Sequence, residues 1–251
     1  MISESIFQSS KSEARGERAM VATKHRLSSA AAIRVIRAGG NVIDAAVAAA
    51  FAVGVVEPTS SGIGGGGYLV YQMGDRGGVF GFPMRAPLAA SPDMYRLTGA
   101  AAVGSFGWPE VAEDANMEGP RSIATPGTVA GLTAAHTEFG QLPLEEVVAP
   151  AVELAQHGFT PEFHDLMAFA EQAGKFTRHD DLCQVFFANG EIPSGLEIPG
   201  SRYTRGNQLR VEPAKIRQPD LADTLIAIGD EGPDAFYHGE IGRRLVEGVQ
   251  K

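Results

Sequence analysis

Apolar residues recur at helical intervals from Ala30 to Ala38 and again from Val42 to Val53, and the residues between them are stop and start signals. Ser28 and Ser29 offer hydroxyls to cap the first helix, and Gly39-Gly40 end it. Asn41 is placed to cap the second helix, whose face of Val42, Ala45, Ala46, Ala49 and Val53 is almost all small side chains. Small residues on one face let a neighbour approach closely, so a tight pair of short helices is predicted. Glu57-Pro58 closes the pair. A serine- and glycine-rich loop from Ser60 to Gly67 follows, and then Tyr68-Leu69-Val70-Tyr71, a β-branched and aromatic run that reads as a strand. Met73 to Gly78 supplies turn residues, Val79 to Phe82 returns as the paired strand, and Ala86-Pro87 breaks it.

From Thr98 to Arg121 no period is sustained, which predicts a long surface loop or insertion with Trp108 as its anchor. Helical spacing resumes at Thr128 to Phe139 and at Leu144 to His157, where Glu145 and Glu146 suit the positive end of the helix dipole. Pro219 to Ile228 and Ile241 to Val249 read as two further helices joined by a Gly-Asp-Glu-Gly-Pro turn. Helices mixed with a hairpin give an α/β (α+β) protein. The polar stretch 1–19 is expected to be a flexible terminus, and 20–251 one domain or a large piece of one.

Composition narrows the partners. The chain has 251 residues, 44% hydrophobic and 20% charged, enough apolar material for a sizeable core. A net charge of −9 works against a polyanion, so no nucleic-acid partner is expected. The longest apolar stretch, Ala45 to Val56, falls far short of the ~20 residues a spanning helix needs, so no membrane partner is expected either. Met1 to Met20 lacks the apolar core of a secretory signal, which leads to the expectation of a cytoplasmic protein. The single cysteine, Cys183, has no partner for an internal disulfide and reads as a buried inert thiol.

Candidate chemistry is sparse. Gly62, Gly64 and Gly67 match G-x-G-x-x-G, but a dinucleotide site needs a strand before the glycines and a helix after them. Here the order is reversed, and the glycines read instead as backbone packed too closely for any Cβ. His179 precedes Asp180 and Asp181, yet a general base needs an orienting partner in space, not only in sequence. His25, His136, His157, His164 and His238 stand alone and are assigned to the surface or the core edge. No Cys/His spacing offers a metal site, so neither metal nor cofactor is expected. The residues alone yield no complete catalytic constellation.

Several blocks nonetheless occur together and in a fixed order. They are Met20-Val21-Ala22 through His25; Gly39-Gly40-Asn41-Val42-Ile43-Asp44-Ala45-Ala46; Val56-Glu57-Pro58; and Ser61-Gly62-Ile63-Gly64-Gly65-Gly66-Gly67. Arg85-Ala86-Pro87, Thr125-Pro126-Gly127-Thr128, Pro150-Ala151-Val152-Glu153-Leu154-Ala155 and Ala235-Phe236-Tyr237-His238-Gly239 continue the series. In this order they resemble the opening of the gamma-glutamyltranspeptidase family.

The resemblance implies an N-terminal-nucleophile hydrolase: part of a four-layer α-β-β-α sandwich, made as a precursor that cuts itself into a large and a small subunit. The new N-terminal Thr of the small subunit is the nucleophile, its own α-amine the base, and an acyl-enzyme is resolved by water or an amine. No Thr in this chain maps onto that position. The nucleophile is expected beyond Lys251, so no catalytic residue is assigned within the chain, which alone is expected to be inactive and to need a missing C-terminal part or small subunit. The family commonly reads Asp-Phe-Arg-Glu-x-Ala-Pro, where the Arg grips the donor's α-carboxylate. This chain reads Gly81-Phe82-Pro83-Met84-Arg85-Ala86-Pro87.

Pro83 therefore stands where the family's Arg is expected, and Pro83 can donate nothing. Arg85 lies two residues on, and in an extended segment it falls on the same face, displaced by roughly 6–7 Å. Its planar guanidinium suits a carboxylate, which makes Arg85 the candidate substrate-binding residue. The implied function is amide hydrolysis or acyl transfer on a small-molecule amide. The alternatives are an acylase or small-amide amidohydrolase of the same family not specific for glutamyl donors, or an inactive fragment serving as a structural or assembly partner.

Overall fold

The computed structural model describes residues 13–100, 107–176, 178–187 and 215–250. Its elements follow in the order α1 (Arg26–Arg37), α2 (Val42–Val56), β1 (Gly67–Met73), β2 (Arg76–Phe82), α3 (Thr128–Phe139), α4 (Leu144–His157), α5 (Phe163–Phe176), α6 (Asp180–Phe186), α7 (Pro219–Glu231), α8 (Pro233–Tyr237) and α9 (Glu240–Val249).

The tight helical pair forms, but of the expected face of α2 only Ala45 and Ala49 are buried, beside Ala32 of α1. Val42 and Ala46 are exposed and Val53 is half-buried. Ser28, fully buried on α1, donates from Oγ to the Ala49 carbonyl of α2 at 2.7 Å. That bond explains a correction at the start of α1. The helix begins before Ser28, at Arg26, and its cap is His25, whose Nδ1 accepts from the Leu27 N–H at 3.1 Å. Ser28 and Ser29 are inside the helix, where Ser29 meets the Thr23 hydroxyl at 2.7 Å. A short polar side chain caps only when it stands at the cap position, and here that position is three residues before Ser28. Asn41 caps α2 as expected, in a reciprocal arrangement with Asp44.

The hairpin pairs Gly67 with Phe82 through to Met73 with Arg76, so the turn is two residues, Gly74 and Asp75. The strands are longer and the turn tighter than Met73 to Gly78 suggested, because residues 76–78 pair instead of turning. One face of the hairpin is packed inward: Leu69, Tyr71, Phe80 and Phe82 contact the main core. Phe139 of α3 receives Tyr71 at 4.8 Å between ring centres and Phe80 at 6.1 Å. The core itself is built on α2, α3, α4 and α7, with Phe51, Val55, Val129, Val147, Val148, Leu225 and Ile228 all closed to solvent.

Beyond α4 the chain holds more helix than the sequence reading gave. The Phe169 ring on α5 meets Phe176 at 5.9 Å, and Phe186 and Phe187 close over it at the end of α6, an aromatic cluster joined to the core. Of the expected turn Gly229-Asp230-Glu231-Gly232-Pro233, the first three residues extend α7, Gly232 makes the break at φ 73°, and Pro233 opens α8, a short helix whose Ala235 and Phe236 are buried. Trp108 is not an anchor, since it is 66% exposed. Val111 and Ala115 hold that loop instead, with Val111 bridged to Leu97. Residues 101–106 of the loop, and 1–12 of the expected flexible terminus, lie outside the described residues.

Candidate active site

The helix–loop–strand order at the glycine-rich segment holds: α2 precedes it and β1 follows. No helix begins directly after these glycines, which is the order a dinucleotide site needs. The reading of the three motif glycines as uniformly crowded needs correction, because Gly62 and Gly64 have open space where a Cβ would stand. The crowding falls at Gly66, where a Cβ would lie 2.5 Å from the Met84 nitrogen. This close approach brings the loop against the stretch that leaves β2 and carries Pro83, Met84 and Arg85.

A third segment, Thr125 to Thr128, ties the other two together. Arg85 N–H donates to the Thr125 carbonyl at 3.1 Å and Thr125 N–H returns to the Arg85 carbonyl at 2.8 Å. Two residues later the same segment turns to the glycine loop. Gly127 N–H and Thr128 N–H both donate to the Gly65 carbonyl, at 2.8 and 3.1 Å. The segment lies so close to β2 that a Cβ on Gly127 would stand 2.2 Å from the Phe82 oxygen, and one on Gly131 would run into the Phe82 ring at 1.9 Å. Close packing of this kind fixes the relative placement of all three pieces.

Two concavities flank this junction, and Phe82 lines both. The larger, about 750 Å³, is floored by α2 and rimmed by the glycine loop, with Ser60, Ser61 and Thr128 among its walls. The smaller, about 400 Å³, is lined by Pro83, Arg85, Thr125, Pro126, Gly127 and Tyr237 together with side chains of α3. Pro83 and Arg85 share this cavity and Met84 between them does not line it, the alternation expected of an extended segment. Arg85 is exposed and forms no ion pair among the described residues. Tyr237 was not singled out as a site residue. Its hydroxyl donates to the Pro126 carbonyl at 3.0 Å and accepts from Ala130 N–H at 3.1 Å. Burial pushes its pKa up from the ordinary phenol value, and the bond from Ala130 works in the opposite direction.

Two carboxylates are buried at opposite ends of α2, with Glu57 where the loop begins. Glu57, 4% exposed, accepts from Lys24 at 3.0 Å, and its carbonyl receives both Ser60 N–H and Ser61 N–H. Asp44 is fully buried and accepts from Asn41 N–H at 2.8 Å and from Gln141 N–H at 3.1 Å.

The histidines divide into two groups. His157, His164, His179 and His238 are exposed, and Asp180 and Asp181 simply begin α6 beside His179. His25 and His136 do not stand alone. His25 is the buried cap of α1 with Glu162 3.7 Å from its Nε2, and His136 bonds the Leu142 carbonyl at 2.8 Å with Asp44 3.6 Å away. Cys183 is half-buried, not fully enclosed, and its thiol bonds the Phe176 carbonyl at 3.3 Å. Among the described residues no group of three His, Cys, Asp or Glu side chains could hold a metal ion, and no helix is long and apolar enough to cross a membrane.

The same architecture occurs in solved transpeptidases. The gamma-glutamyltranspeptidase of Helicobacter pylori superposes with a TM-score of 0.77 at 27% identity, over 94% of this chain and 61% of that one. The sequence model of the gamma-glutamyltranspeptidase family matches residues 28–251, so the chain belongs to that family. Among named relatives, glutathione hydrolase 2 of Arabidopsis thaliana is 38% identical over 92% of this chain and 35% of its own length. The acylase ACY 1 proenzyme of Pseudomonas sp. (strain SE83) is 35% identical over 96% of this chain and 40% of its own length. This chain thus spans between a third and two-fifths of the length of these two curated relatives.

Proposed function

We propose that this chain is the large-subunit portion of an enzyme that cleaves small amides and transfers their acyl groups, with Arg85 binding a carboxylate on the acyl part. The observation that carries the proposal is the placement of Arg85. Two backbone hydrogen bonds to Thr125 fix its main chain, and its side chain lines a cavity of about 400 Å³ without an ion-pair partner among the described residues. An unpaired guanidinium held on a rigid bridge is suited to a carboxylate of a ligand.

The nucleophile, in this reading, is an N-terminal Thr in polypeptide beyond Lys251. Its hydroxyl attacks the amide carbonyl while its own amine takes the proton, the amine product leaves with that proton, and water or a second amine releases the acyl group. The large and small parts complete a four-layer sandwich. Support for a covering layer comes from the outer face of the hairpin, where Tyr68, Val70 and Val79 are 70%, 77% and 59% exposed.

A second reading of the substrate is favoured by Pro83. With no donor at the position of the family's Arg, the grip on the acyl part moves to Arg85, and an acyl group such as glutaryl, with a carboxylate but no α-amine, is accommodated as well as glutamyl. The relative named as an acylase is in keeping with this.

The test is an assay of the completed enzyme with a gamma-glutamyl anilide and a glutaryl anilide side by side, repeated with Arg85→Ala. Turnover by the complete protein, none by residues 1–251 alone, and a KM raised by about tenfold or more on loss of Arg85 are expected for a charge-assisted contact. Unchanged turnover of both substrates by Arg85→Ala would remove Arg85 from the site.

A further inference from the structure

The hydrogen bonds of Tyr237 point beyond Arg85 itself. The segment 125–128 holds Arg85 through Thr125 and the glycine loop through Gly127 and Thr128, so whatever sets that segment sets both walls of the site. Besides its packing on β2 and its continuation into α3, the segment has one further fixing point. It is the Tyr237 hydroxyl, which is inserted between the Pro126 carbonyl and the Ala130 N–H at the first turn of α3. That turn is where a helix has amide donors without intrahelical acceptors, and Gly127 provides no side-chain cap. Tyr237 itself is rigidly presented: it ends α8, whose Phe236 is buried in the core and stacks edge-on against the Tyr237 ring at 5.1 Å.

We infer that Tyr237 is a positioning residue for the proposed acyl-binding site, its hydroxyl fixing the Thr125–Pro126 backbone on which Arg85 is aligned. The inference rests on the reading of Arg85 as the carboxylate contact. Two functions are combined in one hydroxyl: it accepts from Ala130 to cap α3, and it donates to Pro126 to hold the neighbouring residue of the Arg85 bridge. Burial that favours the neutral phenol keeps that donor available. Loss of the hydroxyl with retention of the ring releases the bridge by a small shift and leaves the core contacts of α8 in place.

The experiment compares Tyr237→Phe with Arg85→Ala and the parent in the complete enzyme. Two quantities are read: amide hydrogen exchange at Arg85 and Thr125, and the kinetics of a carboxylate-bearing acyl anilide against a neutral acyl anilide of similar size. For Tyr237→Phe, exchange at both bridge amides is expected to rise about five- to tenfold, as for loss of one partly buried hydrogen bond. KM for the carboxylate-bearing anilide is expected to rise by a similar factor with kcat little changed, and KM for the neutral anilide to stay constant.

A general loss of stability would move both substrates and kcat together. If Arg85→Ala raises KM but Tyr237→Phe leaves exchange or KM at the parent value, the positioning role is overturned and the role of Arg85 stands. If Arg85→Ala itself leaves KM unchanged, the reading of Arg85 has failed and the role of Tyr237 falls with it.

Discussion

Arg85 and Thr125 hold each other by both of their backbone hydrogen bonds, an isolated two-residue bridge outside any strand. Such a bridge has no ladder to support it, so its geometry depends on what stands behind Thr125. Behind it lie α3, the ring of Phe82 and the hydroxyl of Tyr237. The candidate site is therefore a product of how closely α3 packs on β2.

That packing makes a sharp prediction at Gly131. A Cβ there meets the Phe82 ring at 1.9 Å, so Gly131→Ala should destabilise the complete protein by about 1–3 kcal/mol despite the better helix propensity of Ala. Pairing it with Phe82→Leu should recover part of the loss. Gly174→Ala on α5 is the control, since nothing lies within 4 Å of its added methyl, and it should be neutral or stabilising. Denaturant midpoints of the three variants check this, and equal losses at Gly131 and Gly174 would contradict it.

The ion pair between α1 and α4 gives a pH-dependent prediction. Arg34 holds Glu153 through two short contacts, 2.5 and 2.7 Å, and this bond lowers the Glu153 pKa below its ordinary 4.5. A carboxylate with a depressed folded pKa contributes stability that is whole above the unfolded value and lost as pH falls through the folded one. Both side chains are about half exposed, so solvent screens the pair and its contribution is about 0.5 kcal/mol. Glu153→Gln should lower the unfolding midpoint slightly at pH 7, and the difference should shrink as the pH falls below 4.5. A difference that persists unchanged in acid would contradict the assignment.

The outer face of the hairpin predicts the behaviour of the chain by itself. Val70 and Val79 are directly paired on that face, and Tyr68 lies next to them. An exposed apolar face on a two-stranded sheet with free edges favours association. Residues 1–251 expressed alone should aggregate, and Val79→Lys should reduce light scattering of that preparation. In the complete protein the same change should impair assembly. A monodisperse, cooperatively melting monomer would count against a covering layer.

Much of this was readable in the sequence where the signal is local. Asn41 as a cap and the aromatic, β-branched run of β1 depend on neighbours a few residues away, and they hold, whereas only Ala45 and Ala49 of the expected α2 face are buried. The cap of α1 was misplaced because a histidine ring took a role that two serines could also have filled, and only burial of Ser28 against Ala49 distinguishes them. Helix α5 carries a usable signal in the helical spacing of Leu166, Phe169 and Phe176.

Arg85 was visible through its departure from the family pattern. Tyr237 stands in one of the blocks that carry the family resemblance, but its partners lie 107 and 111 residues away, and no periodicity records a contact of that range. Crowding at Gly66 and Gly131 was hidden for the same reason, because the atoms that exclude a Cβ belong to β2 and the residues after it.

The central claim, that this chain forms the acyl-binding half of the site and another polypeptide segment performs the attack, is tested most directly by locating the acyl-enzyme. The complete protein is mixed with a glutaryl or gamma-glutamyl anilide, quenched in acid during turnover, digested, and searched for the acyl group by mass spectrometry. The account predicts an ester on an N-terminal Thr outside residues 1–251, with accumulation of that ester at a fixed low substrate concentration reduced by Arg85→Ala. An acyl group on any residue of 1–251, or turnover of either anilide by this chain alone, would contradict it.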